Sequence, residues 1–422
     1  MRVGQAGAAT AGRGPLRRSL AARAGAALAL LALAVLAFVQ APPAHALPPQ
    51  DVPAVGVDTG RFKLPIGCTI SLGGLPVFYL PTDVDVQGVA PVQLGPGQRF
   101  YLSQGSGSIT FPSWLTSLAP ILGIDRADAK ITDLSIGASG STPSSINIAA
   151  GGPFEIDDIA INAGRPLKVG LPLTGTFDVG PYTAPNGGKV TLAFEHALAE
   201  VDLKSSAGFS LPITADCKPS AGNALLTIAV GGAAGRPPAK ITGAPLNFPE
   251  PASNELVGII NAPYTCKVGA DALDVGIAVG AHIPLVAKRG SSFSFTQASG
   301  ALVIPAGTVN KLIDKGYTSA SGKVTALNLA VEGGTPATQN VIPSGGIAIP
   351  NTPLTRDEQI TVPLPGDGTL TAGPFTPSSS ATSTSVALGS AAADLSFNGG
   401  STASATCGAP SPTVYLVDNP VT

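Results

Sequence analysis

Gln104-Gly105-Ser106-Gly107-Ser108-Ile109-Thr110-Phe111-Pro112 returns as Gln297-Ala298-Ser299-Gly300-Ala301-Leu302-Val303-Ile304-Pro305, 193 positions on. The register continues without a gap through Gly123/Gly316, Lys130/Lys323, Thr132/Thr325, Leu134/Leu327, Gly140/Gly333 and Thr142-Pro143/Thr335-Pro336, with 12 of 40 positions identical. Gly180-Pro181-Tyr182-Thr183 meets Gly373-Pro374-Phe375-Thr376 at the same offset. Solenoid and propeller repeats recur every roughly 20–50 residues, so a period this long reads as a duplicated domain.

The cysteines follow the duplication. Cys68 opens the first copy and Cys217 closes it; Cys266 opens the second and Cys407 closes it. Four cysteines allow three pairings. The repeat favours Cys68–Cys217 and Cys266–Cys407, each tying the first strand of a copy to its last. Such bonds persist in the oxidising environment that an exported chain meets. No two cysteines are near each other in sequence and no His sits at ligand spacing, so no metal site is expected from them.

Within each copy the local period is two. Val275, Ile277, Val279, Ala281, Ile283 and Leu285 alternate with small or polar residues, as do Thr132, Leu134 and Ile136, and Val190, Leu192 and Phe194. That is the pattern of strands with one face on a core. Clusters such as Pro185-Asn186-Gly187-Gly188 and Gly333-Gly334-Thr335-Pro336 punctuate the strands. The expected fold is all-β, as two tandem immunoglobulin-like β-sandwich domains, each with one short helix and one disulfide. The domains are expected at residues 47–218 and 255–422. A Pro/Gly-rich linker at 219–254 contains a strand-like piece, Ala224–Val230. The helices are expected at Ser113–Gly123 and Ala306–Gly316. Leu115, Leu118 and Leu122 have helical spacing in the first, Val309, Leu312 and Ile313 in the second. Gly123 and Gly316 supply C-terminal stops, and Pro120 interrupts the first helix.

The N-terminus carries Arg2, Arg13, Arg17, Arg18 and Arg23, then an apolar run from Ala24 to Val39, then Ala44-His45-Ala46. This order is that of a secretory signal peptide over residues 1–46. The run is shorter than the roughly 20 apolar residues of a membrane span, and no second stretch is long enough, so no transmembrane segment is expected in the mature chain. Removing the signal takes five of 24 basic residues, leaving 19 against 26 acidic and a net charge of −7. That balance argues against nucleic acid or anionic lipid as a partner, because both need a basic footprint. Only 12% of the chain is charged, about half the usual share.

Little in the mature chain points to catalysis. His196 continues the Val190, Leu192, Phe194 face and reads as a core-edge histidine; His282 lies opposite an apolar stripe and reads as solvated. No G-x-S-x-G elbow supports a Ser-His-Asp triad. Asp83 and Asp85, like Glu155 and Asp157, would share a strand face, which is adequate for a Ca²⁺ ligand pair, but the spacing is too common to be specific and a solvated strand edge or loop is the preferred reading. Trp114, the single tryptophan, is expected in core packing. No catalytic residue, cofactor site or metal site is assigned.

Cys266, Pro284, Gly290, Ser299-Gly300, Pro305, Gly316 and Lys323-Val324-Thr325 occur in an order that resembles the secreted, often tandem β-sandwich domains of unknown function of actinobacterial exported proteins. The resemblance implies no catalytic residues and points to an envelope or extracellular binding role. The functional expectation is a secreted or cell-envelope-associated, non-enzymatic binding or structural protein of adhesion-like kind, with a cell-wall polymer or another surface protein as partner. A secreted hydrolase or accessory carbohydrate-binding protein is the alternative.

Overall fold

The computed structural model describes residues 57–220, 222–231 and 250–422. The signal peptide expected at 1–46 and the stretch 232–249 of the expected linker lie outside the described residues. The first half carries β1 (Val57–Leu72), β2 (Leu75–Pro91), β3 (Gln93–Leu94), β4 (Arg99–Phe111), α1 (Ser113–Leu118), β5 (Arg126–Ser139) and β6 (Ser145–Asn147). It continues with β7 (Phe154–Ala160), β8 (Leu167–Leu171), β9 (Phe177–Thr183), β10 (Gly188–Lys204), β11 (Ser210–Pro219) and β12 (Ala224–Val230). The second half begins with β13 (Glu255–Val268), β14 (Asp271–Pro284), β15 (Phe293–Ile304), α2 (Ala306–Asp314), β16 (Ser319–Glu332), β17 (Gly334–Thr335) and β18 (Thr338–Asn340). It closes with β19 (Ile347–Pro353), β20 (Ile360–Leu364), β21 (Leu370–Pro377), β22 (Ser383–Phe397), β23 (Ser401–Cys407) and β24 (Tyr415–Pro420). Over the described residues the protein is all-β with two short α-helices and two disulfides.

Four strands of the first half recur in the second at a constant offset. β5 and β16, β6 and β18, β7 and β19, and β8 and β20 begin and end at residues 193 apart. The chain also bends alike in both. Gln104 in β4 has φ 54° and Gln297 in β15 has φ 51°, a left-handed conformation uncommon for a residue with a side chain. From Arg99 to Gly105, just past the bend, β4 pairs with β9; further on, Gly107–Phe111 pairs with β8. β15 divides the same way between β21 and β20. One bent strand thus serves two sheets, as strands do at the corner of a sandwich.

β1 joins the halves. It pairs along its length with β2, at Ile66–Leu72 with β11, and at Asp58–Lys63 with β13, all antiparallel. β12, from the expected linker, is a ladder strand of the first half, antiparallel to β10 and parallel to β3. The main core cluster accordingly draws on both halves, from Phe62, Leu64, Phe100 and Phe194 to Phe295, Phe375 and Val417. Tyr182 and Tyr264 sit in it with their hydroxyls donating to Ile136 O at 2.8 Å and Gly389 O at 2.9 Å. Each disulfide spans a β-ladder pair, Cys68↔Cys217 between β1 and β11 and Cys266↔Cys407 between β13 and β23.

The helical segment of the first half departs from the sequence expectation. α1 ends at Leu118 and continues as a tighter 3₁₀ turn, Ala119–Leu122. Pro120 has no N–H to give an α-helix, and a 3₁₀ turn tolerates it at its start. The change of pitch turns the expected Leu115, Leu118, Leu122 face. Leu115 packs on the core, but Thr116 and Ala119 are the buried residues, while Leu118, Leu122 and Trp114 are exposed. Trp114 is therefore not a core residue. In α2, which has no proline, Val309 and Leu312 are buried as the spacing predicts.

Candidate interaction surface

His196 on β10 lies between two carboxylates. Its Nδ1 is 3.4 Å from Asp133 on β5, and its Nε2 is 3.0 Å from Asp216 on β11. Burial would push the Asp216 carboxyl up, but its hydrogen bonds to His196 and Lys218 overcome this and hold it below the usual carboxylate range. Ser135 donates to Asp133 at 2.6 Å, not to the imidazole. A triad needs a serine hydroxyl on one ring nitrogen and a carboxylate on the other; here carboxylates face both. His282 is more sheltered than expected, because β14 has a strand on each side: it pairs with Val257 and Thr296, and its Nδ1 is 3.2 Å from Glu255.

The carboxylate pairs separate. Glu155 and Asp157 flank buried Ile156 on β7 and face solvent. Asp83 accepts from Ser253 at 2.8 Å. Asp85 is only 3% exposed, and its Oδ2 receives Lys168 at 3.0 Å and Ser108 at 3.2 Å, with Arg61 at 3.8 Å. Lys63 and Lys168 also reach Glu250, at 3.0 and 3.6 Å. Burial would lower the Lys63 ammonium; the hydrogen bond to Glu250 and the nearby carboxylates raise it instead, and Glu250 is held low by the same bond. Asp85 thus faces cationic side chains. Among the described residues no group of three or more His, Cys, Asp or Glu is placed to hold a metal.

This ionic cluster has a counterpart of opposite chemistry. Counting 193 positions along β2 and β4, and 198 along β1 as the cysteines do, Arg61, Asp85, Ser108 and Thr110 match Ile259, Ala278, Ala301 and Val303. Those four form a separate apolar cluster with Val257.

The exposed face of the helical segment shows the reverse exchange. Trp114 is 51% exposed, Leu118 44%, Ile121 79% and Leu122 63%. The segment is fixed from beneath, where Thr116 Oγ1 donates to Ser113 O and Arg165 O, at 2.9 and 2.8 Å. At the matched positions the second half carries Gly307, Lys311, Asp314 and Lys315. The tip of the β1–β2 hairpin adds exposed Leu75, Val77, Phe78 and Tyr79, where the second half's hairpin has Ala270, Asp271 and Ala272 opposite the last three. Lys315 forms an ion pair with Asp271, so their counterparts, Leu122 and Phe78, occupy neighbouring positions of the frame. The helical segment and the hairpin tip are thus two apolar features of the first half, at matched positions that are charged or small in the second. The second half instead buries Leu273, Leu312 and Phe397 in one cluster, the last stacked on Tyr317 at 4.4 Å.

Sequence reading missed this surface because it placed Trp114 in core packing and read Leu118 and Leu122 only for their helical spacing. The signal was present at Ile121 and Leu122, apolar where the second half is charged. It also missed Asp133 and Asp216, which only strand pairing brings to His196.

No helix among the described residues is long and apolar enough to cross a membrane. No curated protein matches the chain. A solved structure of a protein from Corynebacterium diphtheriae, described as membrane anchored, is similar at 11% identity over 85% of this chain and 97% of that one, with a TM-score of 0.25; a score that low carries no argument. Residues 263–411, from within β13 to just beyond β23, are similar to a family of unknown function (DUF6801).

Proposed function

We propose that this chain is an exported, non-enzymatic binding protein of the cell surface, built from two duplicated immunoglobulin-like copies, whose first copy docks another surface protein. The exposed apolar face of Trp114, Leu118, Ile121 and Leu122 carries the reading, with the hairpin tip as a second apolar feature. Contiguous exposed apolar patches mark interaction sites, and burying one such side chain on a partner contributes about 1.5–3 kcal/mol. The two disulfides support an oxidising compartment. The duplication rests on the 193-residue register of sequence, strand boundaries and bends. Carbohydrate recognition would surround stacking rings with hydrogen-bonding groups; Trp114, Phe78 and Tyr79 supply rings, but exposed Leu118, Ile121 and Leu122 beside Trp114 suit a protein face better than a cell-wall polymer.

A photo-crosslinker placed at Ile121 on intact source cells tests this. The expected result is one crosslinked surface protein. Trp114→Gly/Leu118→Lys/Ile121→Asp/Leu122→Lys, which installs the second half's residues, should abolish both the crosslink and cell retention without lowering Tm. Retention unchanged in that variant, with no crosslink in the parent, would remove the reading.

A further inference from the structure

The interior of the second half holds two apolar hollows, of about 120 and 110 Å³. Ile277, Leu302, Val324 and Ala391 line both, so the two adjoin. One extends to Leu226 and Leu416; the other runs to Leu312, Phe397 and the Cys266–Cys407 disulfide. The wall of the first is aliphatic apart from Phe295 and Ser299, and no charged side chain lines either. Protein interiors leave few voids larger than a water molecule. A cavity of roughly 150 Å³ lined by Leu, Ile and Phe stays dry and takes up benzene or xenon. Each hollow is of that order, and together they are elongated.

The residues that open this space are identifiable. In the first half Phe154 and Phe177 stand with ring centroids 6.0 Å apart, beside buried Val179. Phe177 lies over Gly105, where an added Cβ would come within 2.9 Å of its ring. The matched residues of the second half are Ile347, Leu370 and Ala372, and all three line the first hollow. Two rings are absent, and the neighbouring Ala281, Ala298, Ala326 and Ala391 are too short to fill their place.

We propose that the second half binds one linear aliphatic chain, the tail of an amphiphile, along the two hollows with its polar head outside them. The uncharged wall rejects a head group, because an unpaired buried charge is costly. The elongated shape and the near absence of aromatic rings favour a flexible chain over a planar ring system. The site is separate from the apolar surface of the first half, and neither proposal depends on the other.

The test titrates the purified protein with straight-chain carboxylates from octanoate to octadecanoate, below their micelle concentrations, displacing bound cis-parinaric acid. One equivalent should bind. Affinity should rise about fourfold per added methylene while the tail still enters apolar space, then level off once the hollows are full. Ile347→Phe/Leu370→Phe, which installs the first half's rings, should weaken binding at least tenfold. Ala391→Leu, between the hollows, should move the plateau to shorter chains. The quadruple surface variant at Trp114, Leu118, Ile121 and Leu122 should leave binding unchanged. A lysophosphatidylcholine of equal tail length separates the sources: equal affinity supports recognition of the tail alone, and a preference names the head group that accompanies it. Absence of saturable binding, binding that survives both filling substitutions, or binding lost with the surface variant instead would overturn the proposal. Should the double phenylalanine variant fail to fold, Ala391→Leu and the chain-length series on the unaltered protein decide.

Discussion

Asn147 and Asn340, 193 positions apart, make the same three hydrogen bonds. Asn147 Oδ1 accepts from the N–H of Leu134 and of Ala149, and Nδ2 donates to Thr132 O, at 3.0, 2.8 and 3.3 Å. Asn340 Oδ1 accepts from Leu327 and Ile342 N–H, and Nδ2 donates to Thr325 O, at 3.1, 3.0 and 3.4 Å. In each half one side chain satisfies backbone groups on a strand and on the turn that leaves its partner. Asn147→Ala and Asn340→Ala should each cost about 1–3 kcal/mol, chiefly through backbone groups left unsatisfied. The sites share no partner, so the double variant should show the sum. Urea denaturation measures this; a cost near zero at either site would deny the asparagine its role.

The disulfides close loops with sequence separations of 149 and 141. The chain-entropy model assigns each about 5 kcal/mol, an upper figure because residual structure in the unfolded chain reduces it. Cys68→Ser/Cys217→Ser and Cys266→Ser/Cys407→Ser should each lower the denaturation midpoint sharply. A non-reduced digest should yield Cys68 with Cys217 and Cys266 with Cys407. Recovery of Cys68 joined to Cys266 would contradict the assignment.

Asp85 should be the costliest single carboxylate to remove. Asp85→Ala removes the buried carboxylate that Lys168 and Arg61 face; Lys168 keeps Glu250 at 3.6 Å and both cations are partly exposed, so the loss should be about 2 kcal/mol, below that of a fully buried pair. Arg61→Ile/Asp85→Ala/Ser108→Ala, which copies the apolar cluster of the second half, should recover most of it. Thermal melts of the two variants discriminate: a triple variant no more stable than Asp85→Ala would show that the two clusters are not interchangeable.

Stability should fall at both extremes of pH. Asp216 and Glu250 titrate below their ordinary values in the folded chain. Their contribution is complete above the unfolded values near about 4 and is lost as pH falls through the folded ones. Tyr182 and Tyr264 are pushed up, by burial above all. Their contribution is complete below about pH 10, the unfolded value, and is lost as pH rises toward the folded ones. Of six tyrosines, these two should ionise only as the chain unfolds, read by absorbance at alkaline pH. Reversible ionisation of all six near pH 10 with the fold intact would refute this.

The strands were legible because alternation such as Val275 to Leu285 is a local signal, and the cysteines mark the edges of each half in the linear sequence. The junction was not. Asp58–Lys63 alternate in the same way whether they pair within their own half or with β13, so nothing local announces the shared strand. Trp114 misled because the spacing of Leu115, Leu118 and Leu122 presumes a uniform helix, and Pro120 changes the pitch partway. The environment of His196 needed the register of β5, β10 and β11 together. The hollows are a sum over side chains from many strands, a quantity that no single stretch contains.

The disulfides have a mechanical consequence. Pulled from its two ends, the chain passes tension across each Cα–Cα gap of 4.0 Å, so the 149- and 141-residue loops carry none of it. At roughly 3.4 Å per extended residue, about 500 Å of chain in each loop is withheld from stretching. Only the segments outside the loops can lengthen, and between the loops that means the chain from Cys217 to Cys266, where β12 and β13 must first be peeled from their ladders. Such a molecule is a short tether that resists extension, and reduction would turn it into a long, compliant one.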